Sequence, residues 1–173
     1  MEGFMKLHRC WPFLVLALSA CATVPPARLS GGPFANITPH MAQTQDVIGS
    51  LVRWGGTIAS TSPAGSETCF QVVSHPLDSS ARPEEGDLTD GRFIACAPGF
   101  YEPAIYASGR EITVVGKLEI PYLGKVGKYD YRFPRVAARE VYLWPKRVAP
   151  IYPPPYYYDP FWYQPGPWMM GPW

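Results

Sequence analysis

The sequence predicts an all-β fold, a small antiparallel β-barrel of OB-like type, and three observations carry that reading. Six short runs rich in β-branched and aromatic residues follow one another between Gly49 and Trp144, with turn residues between them. Glycines fall in the middle of the first run, Leu51 to Ala59, where Gly55-Gly56 mark a bulge or tight bend of the kind found at a barrel corner. The clearest run, Glu111 to Leu118, is β-branched and places Ile112, Val114, Gly116 and Leu118 on one face. Short strands with intervening turns argue a barrel or sandwich rather than a parallel sheet with helices. The domain is expected over residues 47–148, with a different material on either side of it.

The chain opens with Lys6, His8 and Arg9 before a short apolar run, Trp11 to Leu18, and small residues follow. That order describes a secretory signal peptide over residues 1–20, and Met5-Lys6-Leu7 would make a conventional start to it. Eight apolar residues cannot cross the roughly 30 Å hydrocarbon core of a bilayer. Leu18-Ser19-Ala20-Cys21 resembles the lipobox of bacterial lipoproteins, in which the cysteine thiol takes a diacylglycerol and the freed amino group is acylated. Cys21 is therefore the expected lipidation site, and two or more acyl chains suffice for stable attachment. Ala22, where an Asp tends to retain such proteins at the inner membrane, points to the outer one. From there to Asp46, prolines and glycines at Pro25-Pro26, Gly31-Gly32-Pro33 and Pro39 interrupt any periodicity. Residues 21–46 read as a flexible tether of roughly 25–30 Å, with one strand or helical turn possible at Ile37 and between Met41 and Ile48.

Within the domain, Leu51 to Ala59 is followed by a loop at Ser62-Pro63-Ala64-Gly65 and a second strand, Thr68 to Val73. A polar loop from Ser74 to Asp90 leads to the third, Gly91 to Cys96. After Glu111 to Leu118, two short strands, Tyr129 to Phe133 and Val136 to Trp144, are separated by Pro134. The second and third strands are successive, so antiparallel pairing is the simplest arrangement. Setting Val73 opposite Arg92 places Cys69 opposite Cys96, at about 4.5–5.5 Å between Cα atoms, within disulfide range. An even number of cysteines in an oxidising compartment favours that bridge. A shift of one residue would instead send the two thiols to opposite faces.

Several motifs fall in order: Val52-Arg53-Trp54-Gly55-Gly56, His75-Pro76-Leu77-Asp78-Ser79-Ser80, and Gly91-Arg92-Phe93-Ile94-Ala95. Gly99-Phe100-Tyr101-Glu102-Pro103, Gly109 to Gly116, Lys125 to Tyr131 and Leu143-Trp144 continue them. With the lipobox, these resemble the Slp family of outer-membrane lipoproteins, associated with carbon starvation and stationary phase. The resemblance covers roughly Gly49 to Trp144 plus the lipobox, and Cys69, Cys96 and the aromatic tail stand outside it. It implies a lipid-anchored protein of the outer membrane, facing the periplasm, with a part in envelope adaptation to starvation or stress. It attaches no catalytic residues. The alternative is a periplasmic binding module for glycan, peptidoglycan or an envelope protein.

Residues 149–173 differ from the domain. From position 150 they hold eight prolines, nine aromatics and a single charge, Asp159. Proline at that density blocks helix and ladder alike, so the tail is expected to lack a fold of its own. Tyr and Trp suit a lipid interface, and a proline-rich segment suits an aromatic groove on an envelope partner. The mature chain is neutral, with thirteen basic and thirteen acidic residues after cleavage, so the electrostatic footprint of a nucleic-acid binder is missing.

Candidate site residues carry two readings each. Trp54, Phe93 and Trp144 would serve as an aromatic binding platform or fill a small core. Arg53, Arg92 and Arg110 would grip a carboxylate or phosphate or pair with Glu111 or Asp130 on the barrel wall. Glu84, Glu85, Asp87 and Asp90 crowd one loop without the ligand schedule of a calcium site. His40 and His75 have no recognisable nucleophile beside them. Lys117, Lys125, Lys128, Arg132, Arg135 and Arg139 would face anionic lipid or simply alternate along exposed strands. No metal, cofactor or catalytic constellation is expected.

Overall fold

The computed structural model describes residues 24–148. Five strands close into a barrel in the order β1-β2-β3-β5-β4, with β4 returning to β1. They are β1 Leu51–Ala64, β2 Glu67–His75, β3 Arg92–Pro98, β4 Glu111–Val126 and β5 Tyr129–Leu143. All pairings are antiparallel except the short closure between β3 and β5. A five-stranded barrel closed in this way has OB-fold architecture.

The interior follows from strand alternation. On β2, Thr68, Phe70, Val72 and Ser74 are buried while Cys69, Gln71 and Val73 stay partly exposed. On β4, Ile112, Val114 and Leu118 point inward as the periodicity predicts, against Trp54, Phe70, Phe93 and Val136. Phe70 and Phe93 are fully buried and fill the barrel centre.

Cys69 and Cys96 are bridged, in the register derived above: Val73 faces Arg92 and Cys69 faces Cys96. Their Cα atoms lie 4.0 Å apart, closer than the about 4.5 Å of an unbridged opposed pair.

Three expectations are corrected. The last two predicted strands are one: β5 runs through Pro134, because the β4–β5 ladder shifts register there. Glu119 faces Arg135 and Tyr122 faces Phe133, so Ile120-Pro121 oppose Pro134 alone. The prolines share a bulge, where ladder donors are not required. The predicted loop at Ser62-Pro63-Ala64 belongs to β1, which beyond Thr57 has left β4 and pairs with β2 alone. Proline is tolerated on such an edge.

The third correction concerns the tether. Between Leu29 and Ser50 the chain is tied to the barrel at intervals rather than free, with exposed stretches between the contacts. Leu29, in a 3-10 turn at Ala27–Leu29, is fully buried against Val115, Ala81 and Trp144. Ala35 N–H donates to Leu51 O at 2.8 Å, and Gly49 N–H to Leu118 O at 2.8 Å. One helical turn, α1 Pro39–Thr44, forms where the chain allows it: Thr38 Oγ1 accepts from Met41 N–H at 3.2 Å, with Pro39 in the first turn. The helical turn near Met41 is among the sequence expectations. The docking of Leu29 and of the main chain is not, because those contacts are made by backbone carbonyls and a few apolar side chains.

Candidate functional site

The five candidate binding residues fall in separate places: Arg110 and Trp144 line one cleft, Arg53 and Trp54 another, and Arg92 lies apart from both. Trp54 stacks edge-to-face on Phe93 in the core, with centroids 5.3 Å apart, and its Nε1–H donates to Ile37 O at 2.7 Å. Trp144 lies outside the barrel wall, where its Nε1–H donates to Thr113 Oγ1 at 2.9 Å, and that hydroxyl donates to Ala81 O at 2.7 Å. Both indoles are buried, so they act as packing residues rather than as an open platform. Arg53 Nη1 donates to Leu29 O at 3.1 Å, with its guanidinium 4.8 Å from the Phe34 ring centre. Arg110 donates to Ile105 O at 3.1 Å and Trp144 O at 2.9 Å. Arg92 lies at the start of β3, and its main-chain N–H donates to Tyr131 Oη at 2.8 Å. The expected pairing of Arg53 and Arg110 with Glu111 or Asp130 is replaced by bonds to main-chain carbonyls.

Glu111 belongs to a cluster that sequence spacing could not show. Its Oε2 accepts from Arg82 Nε at 2.9 Å and Nη2 at 2.7 Å, and its Oε1 accepts from Arg147 Nε at 2.9 Å. Glu85 lies 3.0 Å from the same Arg147 nitrogen. The partners are 29 and 36 residues from Glu111, and only the fold joins them. A cleft of about 520 Å³ beside them is lined by Thr57, Arg110, Trp144, Lys146 and Arg147.

Of the described hollows, the one with the chemistry of a binding site lies on the outer face of β1–β3, under the β4–β5 hairpin. About 390 Å³ in volume, it is walled by Ser60, Ser62, Gln71, Tyr122, Lys125 and Arg135, with the disulfide in its floor. Hydroxyls and an amide alternate with an aromatic ring and two cations, a set that suits a saccharide: rings cover apolar sugar faces while polar groups meet hydroxyls. Arg135 is held by Glu67 at 3.0 Å and Glu119 at 3.1 Å, and its Nε is buried without an aligned acceptor among the described residues. Sequence reading missed this face because its residues come from five strands.

The acidic loop forms no ligand cluster, since Glu85 turns to Arg147. Glu67 approaches both cysteine sulfurs, but bridging removes the thiolates a metal would need. His75 Nδ1 lies 2.9 Å from Leu88 O, in the loop's own structure.

Asp78 organises the turn before Ala81. Its Oδ1 accepts from Ser80 N–H at 2.8 Å, Ser80 Oγ at 2.6 Å and Arg82 N–H at 3.0 Å. Partial burial pushes its carboxyl up, but these bonds and the charge of Arg147 together hold it below the ordinary 3.8. A depressed carboxyl stabilises above its unfolded value, and that contribution is lost as pH falls through the folded one. The Pro76–Glu84 loop is thus expected to become protease-sensitive below pH 3.8, with Asp78→Asn already sensitive at neutral pH. Equal cleavage of both proteins at neutral pH would reject this role.

Fold and site together define an OB-type barrel domain with a docked amino-terminal segment. The family model for the outer membrane lipoprotein Slp family matches residues 18–169, and the chain belongs to that family. The match takes in Leu18 to Cys21, as the lipobox leads one to expect, and it extends beyond the motifs through residues 22–48 and most of the tail. A Haemophilus influenzae protein is 34% identical over 156 residues, covering 88% of this chain and 83% of its own. The Escherichia coli lipoprotein YeaY is 33% identical over 120 residues, 68% of this chain, which spans 62% of YeaY's length. The Escherichia coli outer membrane protein Slp is 26% identical over 135 residues, 76% of this chain and 71% of its own. Among solved structures, a small single-stranded DNA-binding protein from Streptomyces coelicolor is similar at TM-score 0.38 and 14% identity, over 55% of this chain and 92% of that one. The protein is a lipid-anchored lipoprotein of the outer membrane. Cys21, the expected anchor, lies outside the described residues, as does the tail.

Proposed function

We propose that this lipoprotein is non-enzymatic, is anchored through Cys21 on the periplasmic face of the outer membrane, and serves the envelope's adaptation to starvation or stress. The observation that supports it is how the polar side chains are engaged. Arg53 and Arg110 grip main-chain carbonyls, and Glu111 sits between Arg82 and Arg147, so these groups hold the chain together.

A second reading, a module binding glycan or peptidoglycan, rests on the groove beneath Tyr122 with its hydroxyls, amide and cations. The tail is the segment proposed to reach an envelope protein partner.

The test is a deletion strain held under carbon starvation, scored for viability and leakage of periplasmic contents. The wild-type chain should rescue it. Cys21→Ser should neither rescue nor take up labelled fatty acid, because a hydroxyl does not replace the thiolate that forms the thioether. A deletion strain that survives starvation with an intact envelope would reject the first reading. Full rescue by Tyr122→Ala would reject the second, and rescue by a chain ending at Val148 would reject the tail's role.

A further inference from the structure

We propose that the arm formed by the β4–β5 hairpin is a second membrane contact, which lays the barrel against an anionic phospholipid surface. The hairpin is an arm. The β1 partners on β4 end at Lys117, and the β3 partners on β5 begin at Arg135, so between Glu119 and Phe133 the two strands pair only with each other. From Glu119 to Val126 the arm extends about 23 Å at strand rise.

An isolated two-stranded ribbon is marginal in water, and this one is braced at its base. Tyr131 Oη accepts from Arg92 N–H and from the Gln43 amide, and Phe133 is buried with its ring 4.6 Å from that of Tyr131.

Along the arm, from its root to its tip, apolar side chains face water. Ile120 is 76% exposed, Leu123 75% and Tyr129 72%. Ile48, also exposed, lines a hollow with Ile120 at the arm's root. Lys125, Lys128 and Arg132 are interspersed with them. Asp130 pairs with Lys125 at 3.0 Å, while Lys128 and Arg132 have no acidic partner among the described residues. Exposed aliphatic residues, a tyrosine and unpaired cations are what an anionic interface receives: apolar groups enter the acyl boundary, and basic heads reach the headgroups. The same positive charge opposes pairing with a second copy's arm.

Chain length keeps the barrel close to the membrane, within reach of the arm. With Cys21 as the anchor, on which this clause alone rests, three residues separate the lipid from Val24, at most about 11 Å. Leu29 and Arg28 then dock on β4 and β5, at Val115 and Glu140, the same two strands that extend into the arm.

The test needs no lipid anchor, so it fails or succeeds independently of Cys21. The mature chain carrying Cys21→Ser, tail included, is mixed with vesicles of phosphatidylcholine alone or with about three-tenths phosphatidylglycerol. Co-sedimentation with the anionic vesicles is expected, weakening as salt is raised. The pairs Ile120→Ser with Leu123→Ser, and Lys128→Glu with Arg132→Glu, should each lower partitioning by about tenfold or more while melting as wild type does. Because the tail can also meet lipid, a polarity-sensitive dye on Asp130→Cys reports the arm directly, and its emission should shift blue on anionic vesicles. Unchanged partitioning in both pairs, or an unchanged dye spectrum, overturns the proposal. So does self-association without vesicle binding that is lost in Leu123→Ser, which would assign the arm to a second copy.

Discussion

Gly56→Ala is expected to lower the melting temperature by about 10 °C or more, through a cost of about 3 kcal/mol. Gly56 lies where β1 pairs with both neighbours at once, facing Ser74 on β2 and Ile112 on β4. A Cβ there would stand 1.9 Å from Val73 O, with Val73 C at 2.8 Å and Ser74 Cα at 2.9 Å. These are backbone atoms and cannot rotate away, so β1 and β2 would have to part. Typical domains hold only about 5–15 kcal/mol in total. Gly127→Ala is the control: its φ is 62°, but a Cβ would meet nothing within 4 Å, so only the backbone strain of about 1 kcal/mol is expected. Thermal melts of the two variants decide the matter. A Gly56→Ala protein melting within about 3 °C of wild type would mean that the strands are not in this close approach.

Removing the disulfide by Cys69→Ser with Cys96→Ser should cost roughly 3–4 kcal/mol on the chain-entropy account, about 10 °C or more in melting temperature. The bridge spans 27 residues, including the long Pro76–Gly91 loop whose freedom in the unfolded chain it restricts. Melting with and without reductant gives the same comparison without mutation. Equal melting temperatures would show that the bridge does not constrain the unfolded chain. Modification of both cysteines after unfolding without reductant would remove the bridge itself.

The strand positions were legible in the sequence, apart from the unbroken course of β5 and the far end of β1. So were the Cys69–Cys96 register and the inward face of β4, because side-chain direction along a strand alternates whatever the strand pairs with. Gly55-Gly56 were legible as special, but for a neighbouring reason. The β1 register shift falls between Ile58 and Ser60, and Gly56 serves the close crossing of backbones. The family motifs were equally local signals, read as short patterns.

What only the tertiary structure decided is where charged and aromatic residues go. Trp54 and Trp144 became packing groups because Ile37 and Thr113, distant in sequence, arrive to accept their indole protons. Glu111 found Arg82 and Arg147, which spacing gave no reason to join to it. The segment after Val24 reads as a tether because proline and glycine deny it helix and ladder, yet it docks through carbonyls and one buried leucine that no composition reveals. Pro134 reads as a strand end because local rules count its missing N–H. The fold places it at a bulge opposite Pro121, where that donor is not needed. Periodicity and motifs are properties of neighbouring residues, and the chain states them itself. Partner choice depends on which distant groups closure of the barrel brings within 3 Å, and no single stretch of this sequence contains that information.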